Sequence, residues 1–597
     1  MAWLPLRGLQ SFTAGLVVAA AAAAHAAGTL DATFASGEKA ALVALRYPTL
    51  AVSPDGRIAL AATQWSGSFG QFQIGEVAMF DGAGQPQLSF GAAGVARLPL
   101  ASGPYNYSAD AIAFDALGRV VVSGARLAAS PGAFIVRLRS DGQASATFAN
   151  GAPGNDPATH LGSAFAFAID GKSRIVVGGG TGISGGGWSS APLDAQPALA
   201  RLGPDGAVDA SFGSGGQVVL AGPGVVRAIA LDARGGMVLA MGQALVPAIE
   251  TKMLIRLHED GTPDAQFGNA GKIVIPEAIA AKGDAEGRML VIAERGDSPP
   301  STRLYRYLDG RLDTSFGIGG EVLLPRQYNT LATGPDGAIY AGVAGTTNQT
   351  ATLRVLRLRG DGTIDTGYGA LGEAVASFDF GAGGGSSTPA LAVDTQGRLV
   401  VAAMRYNGTQ PFGIQGTTAM LFRFTSDAAP PAATATAVEY HHAAFDHYFI
   451  TADADEIAKL DANPASGWAR TGESFTVQSR AQGSAMPVCR FFSEATFAPS
   501  SSHFYTPYPD ECDTVAGGPA WGFEKIAFLL TLPSGVGQGN GTCPSGTAPL
   551  YRAYNAMRGG APNHRYTTRA ATLDAMIAQG WIMEGEANTR VFACVPA

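Results

Sequence analysis

Residues 254–271 read LIRLHEDGTPDAQFGNAG, and this stretch shows the pattern that decides the fold. It contains a strand-like segment ending in Arg-Leu, an Asp-Gly turn, and a tag of the form D-x-x-F-G-x-x-G. The chain holds seven versions of the tag, and the aromatic residue of the tag recurs every 49 to 64 positions. These aromatic residues are Phe34, Phe90, Phe148, Phe212, Phe267, Phe316 and Tyr368. A period of this length is typical of a repeat array and not of a single-core enzyme.

Each repeat carries four strand-like segments separated by turn signals. In one repeat the first three are Ala111–Phe114, Arg119–Val122 and Ile135–Leu138, and the fourth segment holds the tag around Phe148. Four short strands in every repeat of about 40–60 residues predict a propeller blade. The sequence therefore predicts an all-β fold, a seven-bladed β-propeller over residues 27–426.

The two ends of the repeat array complement each other. The first tag, Leu30–Phe34, has no third strand before it, and the last third strand, Met420–Phe424, has no tag after it. We expect the N-terminal strand to become the outer strand of the last blade. Such closure protects the strand edges from pairing with other chains.

The x-L-D-x-S-F-G-x-x-G form of the tags resembles the delta-60 repeat family of bacterial exported proteins. The resemblance covers about two-thirds of the chain and implies a secreted or surface propeller without an assigned activity. Gln87 and Ser145 depart from the pattern because they stand where the tag has Asp. We therefore interpret the tag Asp as structural support bonded to nearby backbone N–H groups, with the aromatic residue wedged between blades. The Asp-Gly turns supply the positive φ of tight hairpins, and calcium binding by these turns is the alternative.

The N-terminus predicts export. Residues 1–26 have a basic start at Arg7, an apolar stretch at Phe12–Ala24 and an A-x-A cleavage site at Ala24–Ala26, which together are typical of a signal peptide. An uncleaved anchor helix is the alternative. We expect the mature chain to be secreted, periplasmic or at the cell surface, without an integral membrane span. The net charge of −8 disfavours nucleic acid and anionic membranes as partners.

The two faces of the predicted propeller differ. One carries the first-to-second and third-to-fourth turns of every blade, which are short, and we call it the turn face. The opposite face, the loop face, carries long second-to-third connections at 63–76, 178–196 and 405–418. Variable loops on a repeating scaffold are natural recognition sites. The candidate glycan- or peptide-binding residues on these loops are Trp65, Trp188, Tyr406 and Phe412. The alternative is that each aromatic side chain folds back over its own loop.

A second unit follows an Ala/Pro/Thr linker at residues 427–436. We call residues 437–597 the C-terminal module, and it contains three repeats. Each has a short aromatic strand, a motif (HYFIT at 447–451, HFYT at 503–506, HRYT at 564–567), a helical stretch and a Trp. A Glu follows Trp521 and Trp581 three residues later, whereas Thr471 stands at that position after Trp468. The pattern predicts a smaller α+β domain.

The C-terminal module resembles a bacterial C-terminal repeat module of unknown function that is often appended to exported proteins. The resemblance implies an accessory domain for adhesion or glycan binding and nothing catalytic. Candidate ligand contacts are His447, His503, His564, Trp468, Trp521 and Trp581. Histidines on aromatic strands are more often packing elements, and a three-histidine metal site is a further alternative.

All four cysteines lie in the C-terminal module. After export they are expected to form disulfides, and four cysteines allow three connectivities. We favour Cys489–Cys512 and Cys543–Cys594 because each pair brackets one repeat. A thiolate zinc site is the alternative, although the chain has no C-x-x-C pair.

The favoured function is that of an exported, non-enzymatic binding or adhesion protein that recognises a glycan or peptide through the propeller loops and the C-terminal module. We predict neither a catalytic residue nor a cofactor nor a metal. The first strands of the blades are small and apolar, as in Ala228–Leu231 and Ala390–Val393. Propellers can nevertheless host catalysis, so a lyase, hydrolase or quinone-type oxidoreductase is the alternative, and a passive surface spacer is another.

Overall fold

The computed structural model describes most of the chain from residue 27 onward. The predicted signal peptide, residues 1–26, lies outside the described residues, as do 38, 44, 67–71, 99–106, 127–131, 147, 149–160, 182–194, 233–234, 243–252, 276–277, 285, 296–300, 348–349, 380–387, 407–416, 427–433, 480–484, 499, 501 and 517. No helix of the described part is long and apolar enough to cross a membrane.

Seven small antiparallel sheets form the blades of a propeller. The N-terminal strand is β1 (Lys39–Val43). Blade 1 consists of β2–β5 (Leu45–Val52, Ile58–Ser66, Phe72–Phe80, Val95–Arg97). Blade 2 consists of β6–β8 (Tyr107–Phe114, Val120–Arg126, Gly132–Leu138). Blade 3 consists of β9–β12 (Ser163–Ile169, Ile175–Gly180, Pro197–Leu202, Gln217–Val219). Blade 4 consists of β13–β16 (Val225–Leu231, Met237–Gly242, Met253–Leu257, Lys272–Val274).

The remaining blades follow the same order. Blade 5 consists of β17–β21 (Ala278–Gly283, Met289–Arg295, Ser301–Leu308, Arg311–Leu312, Glu321–Leu323). Blade 6 consists of β22–β25 (Thr330–Thr333, Ile339–Thr347, Thr350–Leu358, Glu373–Asp379). Blade 7 consists of β26–β28 (Ala390–Val393, Leu399–Tyr406, Thr417–Phe424) together with β1. The hydrophobic core is divided among clusters of buried side chains, several of which span two neighbouring blades.

The ring closes through the N-terminus. Strand β1 pairs antiparallel with β28, and Leu30 forms a bridge with Phe424. The Asp31 carboxylate accepts hydrogen bonds from Arg423 at 2.7 and 2.9 Å, and the Arg423 guanidinium lies 4.5 Å from the centre of the Phe34 ring. The prediction of a seven-bladed propeller closed by its N-terminal strand is confirmed.

The tag joins each blade to the next one. In blade 3 the tag is a tight loop that precedes the fourth strand and is not part of it, in contrast to the prediction. Asp209 accepts from the Nε of Arg201 at 2.7 Å, and the Arg201 guanidinium lies over the Phe212 ring. Gly261, in the Asp-Gly turn of blade 4, has φ +86°, and a Cβ there would lie 2.8 Å from Phe212. The turn needs glycine both for its conformation and for this close approach.

The C-terminal module is built around one ten-stranded sheet. Its strands are β29–β38 (Thr434–His442, His447–Thr451, Trp468–Gln478, Ala485–Phe492, His503–Thr506, Gly522–Thr531, Thr547–Tyr554, His564–Thr567, Ile582–Glu584, Ala593–Pro596). Its helices are α1–α3 (Ala454–Ala462, Pro509–Ala516, Ala570–Ala578). The predicted α+β architecture is confirmed, but β29 begins at Thr434, inside the predicted linker. Disulfides join Cys489 to Cys512 and Cys543 to Cys594, as favoured from the sequence.

Candidate functional site

A cleft of about 550 Å³ opens on the turn face across blades 3, 4 and 5. Turns after the first strands supply Asp170, Asp232 and Asp284, and a third-to-fourth turn supplies Glu259. Its cations are Lys172 and Arg174, and its apolar lining includes Ile229 and Leu231. We call this the turn-face cleft.

The blade turns fix the carboxylates of the turn-face cleft. Asp170 accepts from the backbone N–H groups of Lys172 and Arg174 at 2.9 Å, and its second oxygen accepts from the Arg174 Nε at 2.6 Å. Asp284 makes the same contacts with Arg288. These local bonds arise because a short Asp side chain can reach backbone N–H groups two and four residues ahead.

Glu259 links two blades at the rim of the turn-face cleft. Its carboxylate accepts from the Nζ of Lys172 and from Nη2 of Arg174, both at 2.8 Å. The hydrogen bond from Lys172, followed by that from Arg174, lowers the pKa of the Glu259 carboxyl. A general acid needs the opposite, a raised pKa. The cleft therefore contains charged hydrogen-bonding groups. The lowered pKa of Glu259 makes this residue a poor proton donor.

The four loop-face candidates divide into two groups. Trp65 lies near the end of β3 and Tyr406 at the end of β27, and only their backbones are described. Trp188 and Phe412 lie outside the described residues. Their predicted role in recognition therefore stays a prediction.

The hairpin register of the C-terminal module revises one correspondence. Thr451, Thr506 and Thr567 end the second strands of the three hairpins and pair with Val438, Cys489 and Tyr551. With the threonines aligned, His503 and His564 correspond to Tyr448 and not to His447. Alignment of the motifs from their first residue placed His447 wrongly, because the first motif, HYFIT, is one residue longer than the other two.

A buried arginine joins the first repeat to the second, and another joins the second repeat to the third. Arg490 of the second repeat donates two hydrogen bonds of 2.8 Å to Glu456 of the first repeat and a third to Glu524 of its own repeat. Arg552 of the third repeat binds Glu511 of the second in the same way, at 2.9 and 3.0 Å, and lies 2.9 Å from Glu584. Bidentate pairs of this kind are among the strongest hydrogen-bonded contacts of proteins.

At the third junction, between the third repeat and the first, the positions of the acidic and the basic residue are reversed. Glu439 of the first repeat corresponds to Arg490 and Arg552, and it accepts two hydrogen bonds of 3.0 Å from Arg565 of the third repeat. Thr471, which stands where the other repeats have Glu, donates to Glu439 at 2.7 Å. The departure of Thr471 from the pattern follows from the reversed charge, because a Glu at 471 would meet the buried Glu439 carboxylate.

The predicted histidine and tryptophan sites of the C-terminal module lie within this scaffold. His447, His564 and Trp581 are buried, whereas His503, Trp468 and Trp521 are partly exposed. His564 lies 4.9 Å from the ring centres of both Phe504 and Tyr554, and burial lowers the pKa of its imidazole well below the usual value.

His564 and Trp581 are packed in the interior of the module, and their role as ligand contacts stays a prediction. Among the described residues, no group of three or more His, Cys, Asp or Glu side chains is placed to hold a metal ion.

Sequence reasoning missed Asp513, which contacts the propeller. Its carboxylate lies 2.8 Å from Arg119 and accepts from Ser145 at 2.6 Å. A signal was present: blade 2 keeps Arg137 but has Ser145 in place of the tag Asp, whereas blade 1 lacks both the Arg and the Asp.

Family models match both parts of the chain. The model described as a domain of unknown function (DUF5122) beta-propeller matches residues 194–212 and 334–368. The model described as a domain of unknown function (DUF5648) matches residues 439–591. No curated protein matches the chain. The delta-60 name stays a resemblance.

The solved structures that match the chain are distant from it in sequence. A protein of unknown function from Dyadobacter fermentans is 11% identical with a TM-score of 0.34, and the match covers 65% of this chain and 98% of that one. A PL25 ulvan lyase bound to -[GlcA(1-4)Rha3S]- is 10% identical with a TM-score of 0.37, covering 64% and 92%. A subtype N11 neuraminidase-like protein of A/flat-faced bat/Peru/033/2010 (H18N11) is 10% identical with a TM-score of 0.29, covering 65% and 90%. These scores are too low to carry an argument about function.

Proposed function

We propose that this protein is an exported, non-catalytic binding protein that holds a polyhydroxylated ligand, of the glycan class, in the turn-face cleft. The observation that carries the proposal is that carboxylates, cations and apolar side chains line the same cleft. Carboxylates accept from hydroxyl groups, Lys172 and Arg174 donate to them, and Ile229 and Leu231 can contact the C–H surface of a sugar ring.

The blade scaffold supports binding because it fixes these groups before a ligand arrives. Asp170 and Asp284 are each held by two backbone N–H groups and one arginine. Rigid placement reduces the entropy that binding must overcome. The hydrogen bonds from Lys172 and Arg174 lower the pKa of Glu259, which suits a hydrogen-bond acceptor and not a general acid.

Export is part of the proposal, and the disulfides support it. Two disulfides join all four cysteines of the described C-terminal module, and disulfides persist in oxidising compartments. Mass spectrometry of the protein recovered outside the cytoplasm should give a chain that begins near Ala27. Recovery only from the cytoplasm, with residues 1–26 attached, would contradict export.

The test of the binding proposal is a glycan screen with the mature chain, followed by titration of the best polysaccharide. Lys172→Ala and Glu259→Gln should each weaken binding by about tenfold or more, the effect of losing one hydrogen bond to a charged group. Lys272→Ala is the matched control, because Lys272 is exposed on β16 outside the turn-face cleft. It should leave affinity unchanged.

Other outcomes identify the alternatives. If Lys172→Ala and Glu259→Gln bind normally while Trp65→Ala or Trp188→Ala does not, the ligand lies on the loop face and the turn-face cleft is not the site. Release of reducing ends or unsaturated sugars during the titration would show that the protein is an enzyme and would contradict the proposal of a non-catalytic binding protein. Binding of peptides with no glycan bound would reject the ligand class.

A further inference from the structure

Blade 2 breaks the pairing of an arginine with the tag Asp that blades 3 to 7 keep. In blade 3 the backbone N–H of Asp209 donates to the Arg201 carbonyl at 2.9 Å, and the Asp209 side chain binds the Arg201 guanidinium. In blade 2 the N–H of Ser145 donates to the Arg137 carbonyl at the same distance, so Ser145 occupies the tag position. Blade 2 therefore has the arginine of the repeat, Arg137, but a serine in place of the tag Asp.

Asp513 of helix α2 brings a carboxylate to this position. One oxygen accepts from the Ser145 hydroxyl at 2.6 Å, and the other accepts from Nη1 of Arg119 at 2.8 Å. Nη2 of Arg137 in turn donates to Ser145 at 3.2 Å. Arg119, Arg137, Ser145 and Asp513 are 5%, 3%, 4% and 4% exposed, so the contact is shielded from water.

The charges explain why a carboxylate fits here. Asp115 binds Arg119 at 2.7 Å, and a second buried guanidinium, that of Arg137, lies close by and donates to the Pro204 carbonyl. Burial, with the nearby charge of Arg119, lowers the pKa of Arg137 to about 10, while Asp115 and Asp513 act in the opposite direction. A buried cation needs such compensation, because charge that is removed from water without a partner is costly.

The surrounding contacts fix the direction from which Asp513 enters. Cys512, the preceding residue, is bonded to Cys489 of β32, which ties helix α2 to the sheet of the C-terminal module. Leu117 of the blade 2 turn packs in one buried cluster with these cysteines and Phe491. At the rim, Asp510 forms an ion pair with Arg139.

We propose that Arg119, Arg137 and Ser145 form a carboxylate-specific docking site, and that Asp513 occupies it in place of the tag Asp that blade 2 lacks. The docking holds the C-terminal module on the turn face at blade 2 in one orientation. The turn-face cleft is lined by blades 3, 4 and 5 and is not part of this contact. The inference therefore stands whether or not the proposed glycan function holds.

The test exchanges the two side chains in the full mature chain. Small-angle scattering reports docking, and hydrogen exchange of β8 reports the integrity of blade 2. Ser145→Asp should place two carboxylates together, release the C-terminal module and raise the radius of gyration. The double variant Ser145→Asp/Asp513→Ser returns the carboxylate to blade 2, so β8 should regain wild-type exchange while the module stays released.

Asp513→Asn should speed exchange in both α2 and β8 by about tenfold or more, as expected when a buried charge loses its partner. Asp455→Asn on helix α1 is the matched control, since Asp455 is an exposed acidic residue of the same module outside the docking contact, and it should change neither readout. Wild-type scattering from Ser145→Asp would overturn the proposal. So would a double variant in which β8 still exchanges as fast as in Asp513→Asn.

Discussion

Glu439 occupies, in the first repeat of the C-terminal module, the position that arginine occupies in the other two repeats. Glu439→Arg would bring an arginine against Arg565 in a site where Glu439 is 1% exposed. We expect this substitution to lower the free energy of unfolding of the module by about 3–5 kcal/mol, the usual cost of breaking a buried ion pair. Denaturant titration followed by near-UV circular dichroism measures it.

The exchanged pair Glu439→Arg/Arg565→Glu should recover part of this loss, with a coupling energy of about 1–3 kcal/mol. The same cycle at Arg470 and Asp461, which are 47% and 40% exposed, should give a much smaller coupling energy, because water screens an exposed pair. Equal coupling at the two sites would show that the third junction has no special role in closing the three repeats.

His564 gives the C-terminal module a dependence on pH. Its folded-state pKa is lowered by burial, so below about pH 6.5 the unfolded chain takes up a proton that the folded chain does not. The free energy of unfolding therefore falls as the pH falls from about 6.5. His564→Gln should remove about 1.4 kcal/mol of the change between pH 7 and 5.5. Thermal melts across this range measure it.

The comparison for this pH series is His258→Gln in the propeller, because His258 is exposed. An equal flattening by that substitution would contradict the assignment to His564. So would a His564→Gln variant whose melting temperature depends on pH as steeply as that of the wild type.

At the scale of elements, the N-terminal segment completes a blade that the rest of the chain leaves unfinished. Deleting residues 27–34 removes both the Asp31 partner of Arg423 and the Phe34 ring beneath it. We expect a loss of about 3–5 kcal/mol from the broken ion pair alone and faster hydrogen exchange in β28. A chain that begins at Ala27 is the control, and unchanged exchange in β28 after the deletion would contradict closure by this segment.

Strands and blade order were predictable because their signals are local. The Asp-Gly turn and the tag seen at Phe267 recur along the chain, so the other copies can be recognised from one of them. The tag loop was predicted less well, since the contact of Gly261 with Phe212 joins two blades and has no local signature. His447 was misaligned for another reason: the first motif is one residue longer than the other two, and only the pairing across the hairpin shows which residues correspond.

For the molecule as a whole, the sequence predicted two parts but not how they meet. The docking contact joins Ser145 to Asp513, 368 positions away. Pattern reasoning marked Ser145 as a departure from the repeat, and nothing near Asp513 in the chain distinguishes it from other acidic helix residues. Only the folded arrangement relates the two positions. The turn-face cleft was missed similarly, since residues of three blades contribute to it.

The serine at position 145 also limits which propellers could carry this C-terminal module. A chimera that grafted the module onto a host blade with the usual Asp would set that carboxylate against Asp513 at the seam. The graft would be tolerated only by hosts in which the same position is small and uncharged while the arginine beneath it remains. The propeller and the C-terminal module are thus complementary at this contact, and replacing either one requires a compensating substitution in the other.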